Sequence, residues 1–311
     1  MGKRIPILII SSILFLLSVI LLNVGSQKTG VKRNFGKSVN PTGPTEDELK
    51  TARLTLLGDI MLGRTVLTKS ISVGDYLYPF KKVAPRLKEA DLVFANLESP
   101  VVSNCPMTET GMIFCTRPEM LDGLTFVGVK VVSLANNHSH NYGMEGYEAT
   151  KKYLSEKGIE WVDERNLYIR DVDGLKFGFL GFNFTSQGPT ADDLLFIAES
   201  KSKVDILILG VHWGVEYTPI STEVQKTWAV QLIGSGADVL SGTHPHWIQN
   251  IEYINEKPVY YSLGNFVFDQ MWSEETKKGM VVSLTFEGDK RILEERDYIY
   301  MTSWAQPGFV D

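Results

Sequence analysis

From Thr51 onward the chain alternates short apolar runs rich in Val, Ile, Leu and Phe with longer amphipathic segments. Residues 54–57, 92–95, 129–134, 176–182, 206–211, 239–240, 259–263 and 280–286 read as strands. Segments 79–90, 144–157, 191–201 and 222–234 read as helices. Strands interleaved with helices predict an α/β architecture, and with no internal repeat in the sequence residues 51–311 form one folded domain.

The first fifty residues follow a different pattern. Residues 5–22 are an apolar run broken only by Pro6, Ser11, Ser12 and Ser18, close to the ~20 residues that a helix needs to cross a bilayer. The run predicts one N-terminal transmembrane helix, with residues 1–24 as cytoplasmic tip and anchor and residues 25–50 as a polar linker. A cleaved signal peptide is the competing reading, with Lys3 and Arg4 as its basic start and Val24 and Ser26 before the cut. The run exceeds the roughly 7–15 residues usual for a signal, which favours the anchor. No Cys lies in the first 30 residues, so a lipoprotein anchor is excluded. Lys28, Lys32, Arg33 and Lys37 follow the run, so flanking charge does not choose an orientation. The expected location is the cell membrane, single-pass, with the domain on the extracellular side.

Charge narrows the partners. Of 31 basic side chains six fall in residues 1–40, which hold no Asp or Glu; the remainder carries 25 basic against 37 acidic groups. A domain at formal charge −12 has little with which to neutralise phosphates, so no nucleic-acid partner is expected. Cys105 and Cys115, ten apart among Pro106, Gly111 and Pro118, are spaced to close a small loop in an oxidising compartment and lack the spacing of a zinc knuckle.

All five histidines lie in segments that follow apolar runs. Run 54–57 leads to Gly58-Asp59, run 92–95 to Asn96-Leu97-Glu98, and run 129–134 to Ala135-Asn136-Asn137-His138. Run 206–211 leads to His212-Trp213-Gly214, and run 239–240 to Gly242-Thr243-His244-Pro245-His246. Carboxyl ends of strands are where α/β sheets gather catalytic groups. Asp59, Glu98, Asn137, His212, His244 and His246 are therefore expected on one rim. Imidazole with carboxylate suits zinc, manganese or iron, and a pair of such divalent ions is a common device for phosphoryl or carbonyl chemistry. Each segment alone has a plainer reading, a turn for Gly58-Asp59 or a core histidine for His212; their joint occurrence is what points to a site.

Together with Tyr261-Ser262-Leu263-Gly264-Asn265-Phe266 and the continuation Ile60-Met61-Leu62-Gly63-Arg64, these segments resemble, over about residues 53–270, the CapA family of capsule and poly-γ-glutamate biosynthesis proteins, relatives of calcineurin-like metallophosphoesterases. The resemblance implies a four-layer α/β/β/α sandwich, a two-metal rim, and a role in making or exporting an envelope polymer. Carried over by position, Asp59 is a ligand of the first metal, Glu98 or else Asn96 takes the bridging place, Asn137 binds the second metal, and His212, His244 and His246 complete the set. His138 then corresponds to the histidine that protonates the leaving oxygen. Three positions depart from the pattern. Met61 stands where a histidine is usual, Asn96-Leu97-Glu98 replaces a Gly-Asp segment, and Asn141 replaces an aspartate that assists the catalytic histidine, with His140 nearby as a substitute.

Further candidates have two readings each. Arg64 and Arg117 fit an anionic substrate as planar forks, or serve as structural ion pairs. Asn265 supports the site or forms a turn, and Glu216 orients His212 or faces water. The leading expectation is a metal-dependent hydrolase or transferase acting on a phosphoester or an anionic envelope polymer, beside other capsule-synthesis membrane proteins. The alternatives are a non-catalytic, polymer-binding subunit of such a complex and an inert scaffold domain.

Overall fold

The computed structural model describes residues 51–310. The proposed anchor at residues 5–22, the linker to residue 50 and Asp311 lie outside the described residues. Strand β1 (Thr51–Ile60) leads into helix α1 (Arg64–Ser72), a 3₁₀ turn (Tyr78–Phe80) and the short α2 (Ala84–Leu87). Next come β2 (Leu92–Leu97), α3 (Leu121–Phe126), β3 (Val129–Ser133) and α4 (Gly143–Glu156). Then β4 (Glu160–Val162), β5 (Tyr168–Val172) and β6 (Leu175–Asn183) precede α5 (Ala191–Lys201), β7 (Ile206–His212), α6 (Glu223–Gly234) and β8 (Val239–Thr243). The remainder is strand: β9 (Ile251–Ile254), β10 (Lys257–Tyr260), β11 (Asn265–Val267), β12 (Lys278–Glu287), β13 (Lys290–Ser303) and β14 (Gln306–Val310). Among the described residues no helix is long and apolar enough to cross a membrane.

Two sheets result. The first runs β14-β13-β12-β1-β2-β3-β4, with β11 pairing beside the end of β1; the second runs β5-β6-β7-β8-β10-β9. Strands β1 to β4 are mutually parallel, as are β6, β7, β8 and β10, so each sheet brings several carboxyl ends to one edge.

Three buried clusters show how the layers stack. Leu57, Val93 and Val132 of the first sheet pack on Leu67, Leu87, Leu124 and Leu154 of α1 to α4. Leu54, Leu56, Phe94 and Val282 pack across the gap on Phe177, Phe179 and Ile208 of the second sheet. Leu180, Leu207 and Leu240 then face Ile197 of α5 and Ala229 and Leu232 of α6. The order is helices, sheet, sheet, helices. In β6, Phe177 and Phe179 join the inter-sheet cluster while Leu180 and Phe182 join the outer one, so that strand is buried on both faces. Truncating Phe94, buried between the sheets and 5.3 Å from the Phe179 ring, would cost about 3–5 kcal/mol.

The structure alters the sequence reading in places. The helix expected at 79–90 divides into the 3₁₀ turn and α2, because Pro79 and Pro85 supply no amide hydrogen and each sits in the first turn of its own short element. The strand expected at 259–263 ends at Tyr260. Helices α1 and α3 and strands β4, β5, β9, β11, β13 and β14 were not expected. Strand β13 is heavily charged and is held by pairing between β12 and β14, with Arg53–Glu295 and Arg86–Asp297 ion pairs beside it. Helices α5 and α6, in contrast, open on the capping boxes Thr190–Asp193 and Thr222–Gln225, which satisfy orphan amides at their starts.

Candidate metal centre

The site forms where the two sheets meet at their carboxyl ends, and glycines make the approach possible. A Cβ on Gly58 would stand 2.0 Å from the Gly264 carbonyl, and one on Gly242 would stand 2.1 Å from that of Tyr261. Bare backbone here lets β1 lie against β11 and β8 against the segment after β10. Asp59, last but one in β1, then meets the loop after β8: the His244 amide donates to Asp59 Oδ2 at 3.3 Å. His244 and His246 hold left-handed backbone conformations (φ 95° and 57°), strained for non-glycine residues and typical of sites where side chains must be aimed.

Asp59 and Glu98 are both fully buried, and Asn96 bridges them. Its amide donates to Asp59 Oδ1 at 2.8 Å and to Glu98 Oε2 at 3.2 Å, while its oxygen accepts from Asn136 at 3.0 Å. The carboxylates differ sharply. Burial raises Asp59, but the hydrogen bond and charge of His246, with His212 and Asn96, more than reverse this and hold it far below the usual range. Burial, then the charge of Asp59, push Glu98 well above the carboxylate range. Among the described residues Glu98 Oε1 has no hydrogen-bond partner.

The histidines close around that oxygen. Asn265 donates through Nδ2 to the Thr276 carbonyl at 2.9 Å and to Gln270 Oε1 at 3.0 Å, so its oxygen is the atom 3.0 Å from His246 Nδ1. A carbonyl can only accept, so the amide orientation is fixed and Nδ1 carries the proton. That N–H also lies 3.2 Å from Asp59 Oδ2. In a neutral imidazole the lone pair then falls on Nε2, which lies 3.8 Å from Glu98 Oε1. His138 repeats the arrangement. Asn141 Oδ1 accepts from the Phe114 amide at 2.7 Å and faces His138 Nδ1 at 3.0 Å, leaving Nε2 at 3.9 Å from Glu98 Oε1. Burial lowers the His138 pKa, with Asn141 partly opposing it.

His212 Nδ1 pairs with Thr243 Oγ1 at 3.0 Å and Nε2 lies 2.9 Å from Asn137 Oδ1. Burial, then the nearby charge of His244, hold its pKa well below the ordinary value. The His244 ring lies 4.7 Å from that of His212, and its buried Nδ1 lacks a partner among the described residues. Burial lowers its pKa too, followed by the charge of His246.

Asp59, Glu98 and His212 each offer a ligand atom, all within 4.8 Å of one another. This set fits a cation. Two carboxylates are crowded together, one oxygen has no partner among the described residues, and imidazole nitrogens surround them. The buried Asp-Glu-His group can hold a metal ion.

Other expected residues take different places. Arg64 is committed to Asp269 by a two-point ion pair, donates to the Gly111 carbonyl at 2.8 Å and lies 4.6 Å from the Phe114 ring centre. Arg117 donates to the Cys105 carbonyl at 3.2 Å, so its contact is with the loop. His140 stacks on Tyr147 rather than on His138, whose Nδ1 is taken by Asn141. Glu216 contributes negative charge towards Glu98 and His138, and Thr243 is the partner of His212 Nδ1. Asn136, Thr243, Gln270 and Phe114 were not singled out from sequence; the first two stand inside the quoted motifs, whereas nothing local marks the others. Cys105 and Cys115 form a disulfide.

Comparison with known proteins identifies the family of the chain. Residues 53–270 match the family model described as bacterial capsule synthesis protein PGA_cap. The "Capsule biosynthesis protein CapA" of Bacillus anthracis is 31% identical over 302 residues, covering 88% of this chain and 71% of that protein. The "PGA biosynthesis protein CapA" of Bacillus subtilis (strain 168) is 30% identical over 272 residues, covering 79% and 70%. A hypothetical protein from Thermus thermophilus shares the fold alone, at TM-score 0.54 and 14% identity over 79% of this chain and 98% of that one. A family model spanning most of the folded domain, with relatives at this identity, places the chain in the bacterial capsule synthesis (PGA_cap) family.

Proposed function

We propose that the protein is a metal-dependent hydrolase or transferase of the metallophosphoesterase type that acts in capsule or poly-γ-glutamate biosynthesis, held at the membrane by residues 5–22. The observation that carries the enzymatic reading is the orphaned Glu98 Oε1, with Nε2 of His246 and of His138 turned towards it. Asp59, Glu98, His212, His244 and His246, with Asn137 at the exposed rim, are the residues that would hold up to two divalent ions, zinc, manganese or iron. Bound there, such ions supply the positive charge that stabilises negative charge building on the attacked group.

His138 takes the substrate-facing role. Its Nδ1 is committed to Asn141, so Nε2 is the nitrogen that accepts a proton from, or in the imidazolium form returns one to, a reacting oxygen or nitrogen. With Arg64 and Arg117 already engaged, an anionic polymer is held mainly through the cation site itself. The disulfide supports an extracellular domain, since such bonds persist in oxidising compartments. Other capsule-synthesis membrane proteins are the proposed partners.

The test is elemental analysis of the purified full chain in detergent, with a hydrolysis screen against phosphodiesters and poly-γ-glutamate. Bound transition metal with turnover that depends on His138 is expected. Metal binding without any His138-dependent turnover would favour the non-catalytic polymer-binding subunit, and failure to bind zinc, manganese or iron on reconstitution would end the metal-centre reading.

A further inference from the structure

His138 is oriented by an amide, and an amide has two different faces. A carboxylate beside Nδ1 could only accept a hydrogen bond; Asn141 can present either an oxygen or an NH₂. What decides between them is the Phe114 amide, which can only donate and lies 2.7 Å from Asn141 Oδ1. The His138 tautomer is therefore set one step away, by the position of Phe114.

Phe114 belongs to the loop closed by Cys105–Cys115, which has no helix or strand of its own. The outer part of this loop is open, with Met107, Met112 and Ile113 at 52%, 61% and 68% exposure, while Cys105, Phe114 and Cys115 are buried. Its root is pinned from three directions. The disulfide ties the two ends, Thr116 donates to the Pro100 carbonyl at 2.8 Å, and Arg64, anchored on Asp269, reaches the Gly111 carbonyl and covers the Phe114 ring. The same ring stacks on His138, centroids 3.9 Å apart and planes at 23°. Amide and ring of one residue thus hold both the hydrogen-bond partner and the plane of the imidazole.

We propose that the Cys105–Cys115 loop is the positioning element of His138: through Phe114 it selects the Asn141 amide orientation and fixes the imidazole with its proton on Nδ1 and Nε2 towards Glu98. The importance of this for turnover rests on the substrate-facing role of His138 given above; the tautomer itself does not, and can be read without activity.

The experiment uses the metal-free full chain in detergent with ¹⁵N-labelled histidine, and long-range ¹H–¹⁵N correlation to report which ring nitrogen bears the proton. The His138 signals are assigned by their loss in His138→Gln. In the native protein His138 and His246 are both expected as single Nδ1–H tautomers. In Cys105→Ser/Cys115→Ser, His138 should become a mixture while His246, held by Asn265, keeps its tautomer. Adding Asn141→Asp to that variant should restore the single tautomer, because a carboxylate needs no Phe114 amide to present an acceptor. On zinc reconstitution the double variant should keep its metal and lose roughly 10–100-fold in turnover. Should the double variant fail to fold, protein folded with its disulfide and then opened with dithiothreitol, which leaves two thiols, gives the same comparison. An unchanged His138 tautomer in the opened loop, or loss of both tautomers together, would overturn the proposal, as would failure of the aspartate to restore it. Absence of turnover in the native protein with the tautomer shift present would instead count against the catalytic role alone.

Discussion

The two ends of the same strands carry polar groups of opposite character. At the amino ends, Asp91, Asp205 and Asp238 each stand one residue before a strand and accept from the backbone amide of a neighbouring strand: Arg53, Lys176 and Leu207, at 2.8 Å each. Asp238 is also matched by Lys201 at 2.7 Å and Lys257 at 3.0 Å. At the carboxyl ends, Asp59 and Glu98 crowd each other among histidines, and Glu98 Oε1 is left without a partner among the described residues. One end is satisfied by the chain itself. The other leaves a buried carboxylate oxygen unsatisfied among the described residues, which is the physical difference between an aspartate that staples a sheet and a carboxylate free to take a ligand.

The strongest way to break the contrast is to remove a group from the unsatisfied end. His246→Ala deletes a nitrogen whose lone pair Asn265 directs to the centre, and bound metal should fall by more than about 100-fold in affinity, beyond the effect of losing an outer partner. Activity should vanish with it. Elemental analysis beside a turnover assay reads both, and full metal occupancy in this variant would remove His246 from the ligand set. His138→Ala separates the roles: metal content should stay, and turnover should drop about 10²–10⁴-fold, the usual value of a general acid or base. Equal loss of metal would make His138 a ligand instead.

The carboxyl-end half of this contrast was legible in the sequence, for a reason that also limits it. Each carboxyl-end group follows an apolar run directly, so Asp59, Glu98, His212 and the His244-Pro245-His246 triplet could be placed on one rim from strand recognition alone. What could not be read was how they are aimed. The His138 plane depends on Phe114, 24 positions earlier in the chain, and the His246 tautomer on Asn265, held by Gln270 and Thr276; these relations exist only after the sheets and the disulfide loop have packed. The same holds for fold elements. Strand β6 announces itself through its apolar run, whereas β13, with a Lys-Arg start and a Glu-Glu-Arg-Asp centre, has no apolar period and is defined by its neighbours.

Zinc itself sharpens the comparison at moderate scale. Supplied at about 100 times its dissociation constant, a ligand that binds only the folded state stabilises by about 2.7 kcal/mol. Thermal unfolding of the metal-free chain should shift upward accordingly on zinc addition, and Glu98→Gln should cut that shift to a small fraction. Asp238→Asn should leave it whole. A zinc shift that survives in Glu98→Gln would mean that the metal sits elsewhere.

The smallest effect is also the most discriminating, because it concerns sign. In the metal-free chain Glu98→Gln replaces a buried carboxyl that is driven above its normal proton affinity by burial and by Asp59, keeps nearly the same volume, and retains an oxygen for Asn96. Its removal should stabilise the fold by roughly 1 kcal/mol, as expected where a buried charge is poorly compensated. Asp238→Asn keeps shape in the same way but loses attraction to Lys201 and Lys257, both partly exposed, and weakens the acceptor for the Leu207 amide. It should destabilise by about 1 kcal/mol, the scale of partly solvated pairs and one hydrogen bond. Chemical denaturation of both variants at neutral pH with chelator present measures the two together. Opposite signs are required if the amino ends hold the sheet and the carboxyl ends are kept strained for a metal; a loss of stability in both would show that Glu98 is an ordinary structural group and that its orphaned oxygen is no sign of a missing cation.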